Sequence, residues 1–167
     1  MTEHPSTDGR PGAEHAPIVR LTAVDEQILD LLRADGRMPN SAVAQAVGIA
    51  PSTCLARVRA LRERGVIRGF HADVDPAATG RTIQALIAVR LHADARGRMT
   101  AFVDRVCALP EVLDVYFLGG EDDYLLHVAA GSASALRDLV VDHLSAHAEV
   151  SHTNTSLIFD HIRPRRP

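Results

Sequence analysis

Arginine is concentrated in one short stretch of this 167-residue chain. Residues 50–70 contain five arginines and a single acid, Glu63, whereas the whole chain has a formal net charge of −3. Guanidinium groups bind phosphate and carboxylate groups in a planar, two-pronged geometry, so this stretch suits an anionic partner. The overall charge excludes a protein that coats nucleic acid through its total charge. A local basic patch on a nearly neutral body is what a site-specific nucleic-acid binder needs.

Helical spacing divides the same stretch into two faces. Residues 52–64 place an apolar arc on one side, which predicts a core-facing helix and consists of Cys54, Leu55, Val58 and Leu61. The opposite side carries small and hydroxyl side chains with arginines around them, which suits close approach to a duplex groove. The candidate DNA contacts are Ser52, Thr53, Arg57, Arg59 and Arg62. On these residues alone, an ordinary amphipathic helix that happens to be basic explains the pattern equally well.

A second candidate site is the Gly-Gly-acid run at residues 119–123. A glycine-rich turn exposes backbone N–H groups that can bind a carboxylate, and a nearby acid can bind an ammonium group. The ligand that this chemistry fits is a free amino acid. The same composition is also that of an ordinary hairpin turn, which is the simpler interpretation from the residues alone.

Other kinds of site find little support. His143 and His147 have the spacing of two ligands on one helix face, but no third ligand lies near them in sequence, so we predict no metal and no cofactor. The sequence has no phosphate loop, cysteine cluster or nucleophile–base arrangement, which predicts a protein that is not an enzyme. Cys54 and Cys107 both fall on apolar helix faces, which predicts two buried free thiols in a reducing compartment.

The first half of the chain predicts three helices that position the arginines. Residues 1–19 are expected to be a disordered leader, and Thr22 followed by Asp25 predicts the start of a helix that ends near residues 35–36. Helices over about 40–47 and 51–64 follow, with Gly48 and Gly65 as left-handed caps. The second and third helices form a helix-turn-helix unit, and the third helix is the candidate recognition helix. Arg62 lies at the edge of the apolar arc, so pairing with an acid of the first helix is an equally good interpretation of that residue.

The period of the hydrophobic pattern changes in the second half of the chain. Residues 66–74 read as an extended segment and 76–81 as a domain boundary. Strands are predicted over 83–91, 112–118, 124–130 and 150–159, with helices over 97–109 and 134–145. This βαββαβ order predicts a ferredoxin-like sandwich in an α+β protein. One sheet face, which includes Leu86 and Ala88, is left without helices and is expected to meet another subunit.

The chain has neither a signal-peptide pattern nor an apolar run long enough to span a membrane, so a cytoplasmic location without a membrane partner is expected. Residues 163–167 (RPRRP) are expected to be a frayed tail.

Two motifs resemble the Lrp/AsnC family of feast/famine transcription regulators. One motif is the run from Gly120 to Leu126, which resembles that family's Gly-x-x-Asp-Tyr/Phe turn. The other motif lies in the helix-turn-helix half and consists of Leu21, Asp25, Ile28-Leu29, Leu32, Asp35-Gly36-Arg37, Gly48-Ile49, Cys54-Leu55, Arg57-Val58, Leu61, Gly65-Val66-Ile67 and Gly69-Phe70. The resemblance implies a helix-turn-helix (winged-helix-like) domain over 20–65, a connecting strand and linker over 66–81, a ferredoxin-like (RAM) domain over 82–160 and a tail over 161–167.

The resemblance also implies a function. The chain is expected to be a sequence-specific DNA-binding regulator of transcription that responds to an amino acid or related effector, bound at a subunit interface of the C-terminal domain. Asp123 matches the family's Asp and is expected to bind the effector ammonium. The full set of implied effector residues is Phe117, Gly119, Gly120, Asp123, Tyr124, Thr155, Ser156 and Ile158. The expected assembly is a homodimer that associates further, up to an octamer, with residues 66–74 pairing across the twofold axis.

Two departures and two alternatives accompany this resemblance. Pro39 and Ala50 stand where the family commonly has a serine-like cap, so the starts of the second and third helices are expected to depend on Asn40 and on Ser52 or Thr53. The alternatives are an architectural DNA-binding protein that ignores effectors, and an amino-acid-sensing module that does not bind DNA.

Overall fold

A computed structural model describes residues 19–162 of the chain. The predicted leader, except for residue 19, and the predicted RPRRP tail lie outside the described residues. The chain forms two compact units, one ending at Asp73 and the other beginning at Val74. This boundary falls within the segment 66–81 that the sequence marks as a linker.

The first unit contains the three predicted helices, α1 (Ala23–Ala34), α2 (Asn40–Ala46) and α3 (Pro51–Glu63). The predicted start of α1 is confirmed as a capping box, in which Thr22 Oγ1 accepts from the Asp25 backbone and the Asp25 carboxylate accepts from the Thr22 backbone. Gly48 and Gly65 have φ values of 71° and 70°, which confirms both left-handed caps.

The predicted caps of α2 and α3 are wrong. Pro39 and Ala50 are the N-cap residues, and neither supplies a side-chain hydrogen bond. Pro51 lies in the first turn of α3, where its missing N–H costs nothing. The Asn40 side chain instead donates from Nδ2 to the Pro51 carbonyl at 2.8 Å, so it links the starts of the two helices.

The core of the first unit lies between the three helices. The residues buried there are Ile28, Leu29, Val43, Ala44, Cys54 and Leu61. The prediction that Leu55 faces inward is wrong, because its side chain is 41% exposed. The apolar arc of α3 is therefore wider than the surface that α1 and α2 cover.

Four antiparallel strands and two helices form the second unit, which confirms the predicted βαββαβ sandwich. The strands are β1 (Ile83–Leu91), β2 (Val112–Phe117), β3 (Tyr124–Ala130) and β4 (Val150–Ile158), in the sheet order β2-β3-β1-β4. The helices are α4 (Met99–Cys107) and α5 (Ala133–Val140). The predicted helices were longer: a 3₁₀ segment (Ala93–Arg98) precedes α4, and one turn of π-helix (Val141–Ser145) continues α5.

Strand alternation gives the sheet one core face and one open face. Ala85, Ile87 and Val89 of β1 are fully buried and pack with the residues of α4 and α5. Leu86 and Ala88 lie on the opposite face and are only partly buried, as the period-two pattern predicts. Cys107, by contrast, is exposed at the end of α4, so the prediction of two buried thiols holds only for Cys54.

The connecting segment 66–74 forms no strand within this chain. Its first residues close α3, since the backbone N–H groups of Val66 and Ile67 both donate to the Leu61 carbonyl. Pairing of this segment with a second subunit therefore stays a prediction. Among residues 19–162, no helix is both long and apolar enough to cross a membrane.

One buried ion pair ties α4 to the start of β4. The Arg105 guanidinium pairs with the Glu149 carboxylate, which is only 8% exposed, and lies 5.5 Å from the centre of the Phe102 ring. The hydrogen bond from Arg105 is the main reason that the pKa of Glu149 lies below its ordinary value, against the opposing effect of burial.

We expect Glu149→Gln to reduce the acid sensitivity of the second unit. Because the pKa is lower in the folded state, the carboxylate stabilises the fold fully above the unfolded value of about 4.3, and this contribution disappears as the pH falls towards the folded value. The urea midpoint should therefore fall less between pH 7 and pH 3 in the variant than in the unchanged protein. Glu111→Gln is the control, since Glu111 joins none of the ion pairs within residues 19–162. Equal losses in both variants would contradict the assignment.

Candidate nucleic-acid interface and effector site

Four of the five predicted DNA contacts lie on the exposed surface of α3. Ser52 and Thr53 occupy its first turn, and Arg59 and Arg62 lie in its last two turns. All four side chains are exposed; Ser52 and Arg59 lie on one side of the helix, with Thr53 and Arg62 on its two flanks. The structure thus presents hydroxyls at one end of α3 and guanidiniums towards the other.

Arg57 has a different environment, because its guanidinium is engaged within the unit. Its Nη1 atom lies 2.9 Å from Asp25 Oδ1 and 3.3 Å from Thr22 Oγ1. Asp25 is 5% exposed, and its other oxygen accepts from the Thr22 backbone at 3.0 Å and the Thr22 hydroxyl at 2.8 Å. Arg57, rather than Arg62, is therefore the arginine that pairs with an acid of the first helix.

The electrostatics of Asp25 follow from these contacts. The backbone N–H of Thr22 is the main reason that the pKa of Asp25 lies below its ordinary value. The Thr22 hydroxyl and the Arg57 guanidinium lower that pKa further, against the opposing effect of burial. The charged carboxylate thus connects the start of α1 to the middle of α3.

Arg59 and Arg62 also line a cleft of about 370 Å³ at the end of α3. Glu63, Ile67 and Arg68 complete its walls. Sequence reasoning placed Arg68 in the basic stretch but not among the candidate contacts. It enters the cleft because Gly65 turns the chain back beside the end of the helix.

The predicted effector turn joins β2 to β3 and is held by its own hydrogen bonds. The Asp123 backbone N–H donates to the Val89 carbonyl at 3.0 Å, and Asp123 Oδ2 accepts from the Leu91 backbone at 2.8 Å. One carboxylate oxygen of Asp123 therefore fixes the turn to the end of β1. Gly119 and Gly120 are exposed and have open space where a side chain would stand.

Arg90 holds the same turn from the open face of the sheet. Its Nη2 atom lies 2.6 Å from Glu121 Oε1 and 3.4 Å from Asp122 Oδ1. The hydrogen bond to Glu121 is the main reason that the pKa of Arg90 lies above its ordinary value. Sequence reasoning missed Arg90, because only the register of β1 against β3 brings it to a turn more than 30 residues away.

An aromatic row lies behind the turn. The Phe117 ring is centred 5.3 Å from that of Tyr124, which lies 5.2 Å from that of Phe102. Phe117 is 58% exposed, whereas Tyr124 is 1% exposed and its hydroxyl has no partner among the described residues. Burial, and then the charge of Asp123, raise the pKa of Tyr124.

The predicted effector residues form two separate groups within one chain. Phe117 lies on β2, three strand spacings or about 14 Å from β4, whereas Asp123 binds the end of β1, the strand that pairs with β4. Thr155 pairs with Ile87 on the core face, while Ser156 pairs with Leu86 on the open face.

The histidine pair adds no site to these two. Within the described residues, no group of three or more His, Cys, Asp or Glu side chains is arranged to hold a metal ion.

Comparison with known proteins agrees with both halves of the structure. Residues 21–68 match the family model for winged helix-turn-helix DNA-binding domains, and residues 84–167 match that for the Lrp/AsnC ligand binding domain. The fold and these matches define a helix-turn-helix transcriptional regulator with a ligand-binding domain. The match to a DNA-binding domain argues against a sensing module that does not bind DNA.

The chain belongs to the Lrp/AsnC family. It is 49% identical to the HTH-type transcriptional regulator AldR of Mycobacterium tuberculosis, over 99% of this chain and 92% of that protein. The crystal structure of MtbAldR superimposes with a TM-score of 0.78 at 48% identity, covering 88% of this chain and 97% of that one. A Neisseria meningitidis transcriptional regulator in complex with L-Met superimposes with a TM-score of 0.78 at 32% identity, covering 87% and 94%. These relatives are transcriptional regulators and not enzymes.

We expect Arg57→Ala to destabilise the first unit by about 1–3 kcal/mol, because it leaves a buried carboxylate without its cationic partner. Amide hydrogen exchange of peptides from α1 and α3 in the full chain measures this loss. Arg59→Ala is the matched control, since Arg59 is an exposed arginine of the same helix and its removal should change stability by less than about 0.5 kcal/mol. Equal protection in the two variants would show that the Arg57–Asp25 pair contributes nothing.

Proposed function

We propose that this chain binds duplex DNA sequence-specifically through the exposed side of α3. Ser52 and Thr53 meet base edges at the start of the helix, and Arg59 and Arg62 contact the backbone. The observation that carries this proposal is the exposure of these four side chains on a helix whose opposite side is anchored in the core. Arg57 contributes by holding α3 against α1 and is not expected to contact bases.

We further propose that the active form is a homodimer that assembles up to an octamer. Apolar side chains on the second unit favour burial against another copy, since Tyr116 is 50% exposed, Leu157 52% and Phe159 97%. Residues 66–74 pair across the twofold axis, as the resemblance to the Lrp/AsnC family implies. A twofold dimer presents two recognition helices, so the operator is a degenerate palindrome with half-sites a whole number of helical turns apart. Because the partner is DNA, the protein acts in the cytoplasm.

The effector that fits this chemistry best is an amino acid bound between subunits. Exposed backbone N–H groups at Gly119 and Gly120 suit its carboxylate, and the second carboxylate oxygen of Asp123 suits its ammonium. A second subunit would bring β4, with Thr155, Ser156 and Ile158, to the turn. Support comes from the Neisseria meningitidis relative, whose structure is a complex with L-Met.

One observation favours the alternative of an architectural DNA-binding protein that ignores effectors. The acids of the turn already have partners, since Arg90 binds Glu121 and Asp122, and Leu91 donates to Asp123. A turn whose charges are satisfied in this way is stable without a ligand.

Thermal unfolding in the presence of each of the twenty amino acids separates the two functions. A ligand at about 100 times its Kd stabilises the native state by about 2.7 kcal/mol, so one or a few amino acids should raise the Tm by several degrees. Asp123→Asn should abolish that shift, because the amide still accepts from Leu91 but no longer carries the charge that binds an ammonium. Glu121→Gln is the control and should retain the shift. If no amino acid changes the Tm, the architectural alternative replaces the amino-acid switch.

We expect Thr53→Ala to weaken binding to a duplex selected from a random library, by about 1–3 kcal/mol, with little change for a scrambled duplex. A base contact is lost only where the correct base is present, so the ratio of the two affinities should fall. Fluorescence anisotropy with the two labelled duplexes measures that ratio, and Thr100→Ala in the other unit is the control. An equal loss on both duplexes would place Thr53 on the backbone instead of on a base.

A further inference from the structure

We propose that the cleft at the end of α3 binds a phosphodiester group of the DNA backbone, and that Arg68 is one of its ligands. This inference rests on the proposed DNA-binding function and extends it to a segment beyond the recognition helix. Three arginines line the cleft: Arg59 and Arg62 from α3, and Arg68 from the connecting segment.

The charges of the cleft select an anion. Its lining contains three guanidiniums and one carboxylate, that of Glu63, which leaves a net charge of +2. Within residues 19–162, no hydrogen bond or ion pair engages the side chains of Arg59, Arg62 or Arg68, whereas Arg57 is held by Asp25. The three guanidiniums can therefore bind a phosphate without first breaking an internal pair.

Hydrogen bonds at the C-terminal end of α3 also favour the binding of an anion. The last carbonyls of a helix carry partial negative charge, which would repel a phosphate. Here the Arg62 carbonyl accepts from the Gly65 backbone at 2.9 Å, and the Leu61 carbonyl accepts from Val66 at 2.9 Å and Ile67 at 3.1 Å. The turn at Gly65 that satisfies these carbonyls is the same turn that brings Arg68 to the cleft.

Dimensions place this cleft beside the DNA backbone. Ser52 and Arg59 are seven residues apart, so they lie on one side of α3 and about 10 Å apart along it, and the major groove is about 12 Å wide. A helix whose first turn meets base edges therefore carries its last turn to the edge of the groove, where the phosphates lie. The cleft is open to solvent and has a volume of about 370 Å³, so a phosphate of a duplex can enter it.

Salt dependence of duplex binding tests this assignment. Each phosphate that a protein neutralises contributes about 0.9 to the slope of log K against log salt, and Arg68 is one of three guanidiniums at this phosphate, so Arg68→Ala should lower that slope by up to about 0.9 per subunit and about 1.8 per dimer. The loss of affinity should be the same for a selected and a scrambled duplex, because the contact carries no sequence information. Anisotropy titrations of the full chain over a series of NaCl concentrations measure both quantities.

Two further variants sharpen the test. Glu63→Gln removes the only acid of the cleft and should raise affinity for both duplexes, in the opposite direction to Arg68→Ala. Arg33→Ala removes the same charge from α1, where Arg33 pairs with Asp30 at 2.9 Å, and should leave the slope unchanged. Unchanged far-UV circular dichroism and Tm confirm that each variant is folded.

The possible outcomes test the cleft assignment separately from the proposed DNA-binding function. If the unchanged protein binds DNA and Arg68→Ala keeps the full slope, or loses affinity only for the selected duplex, the cleft assignment is overturned and the proposed function stands. If the unchanged protein binds no duplex, both fail. If Arg68→Ala keeps the full slope while inorganic phosphate at constant ionic strength raises the Tm of the unchanged protein but not of Arg68→Ala, the cleft binds a free anion and the DNA-backbone assignment is overturned.

Discussion

The buried carboxylate of Asp25 is the interaction on which the presentation of α3 depends. It accepts from the Thr22 backbone and hydroxyl at the start of α1 and from the Arg57 guanidinium in the middle of α3. A buried charge needs every one of these donors, so the two helices can change their relative position only by leaving it unpaired. Because α3 is held in this way, its exposed hydroxyls and arginines keep fixed positions on the surface of the unit.

The second unit uses the same kind of contact at two places. Arg105 and Glu149 join α4 to the start of β4, and Arg90 fixes the acids of the turn between β2 and β3. Because every basic residue of the chain is arginine, composition does not separate structural from binding roles. Their contacts separate them, since Arg57, Arg90 and Arg105 each pair with a carboxylate of another element or turn, while Arg59 and Arg62 are exposed.

The sheet distributes the proposed effector residues over several strands and both of its faces. In a four-stranded sheet with the order β2-β3-β1-β4, Phe117 of β2 lies on the edge opposite β4, whereas Asp123 binds β1 beside β4. Alternation then separates Thr155 from Ser156, which lie on opposite faces. Homodimerisation would thus both complete the effector site and set the spacing of the recognition helices, which gives a physical route by which a ligand could alter DNA binding.

The sequence by itself determined whatever depends on neighbours a few residues apart. The Thr22–Asp25 capping box, the caps at Gly48 and Gly65, and the strands with period two follow from local geometry, and the order of these elements defined the fold. The tertiary structure alone decided which distant groups meet. Because of the angle between α1 and α3, Asp25 pairs with Arg57 and not with Arg62. The neighbouring helices do not cover Leu55 and Cys107, which are therefore exposed. The strand register places Arg90 at the turn. Such contacts depend on packing angles and registers, which a one-dimensional pattern of residue types does not contain.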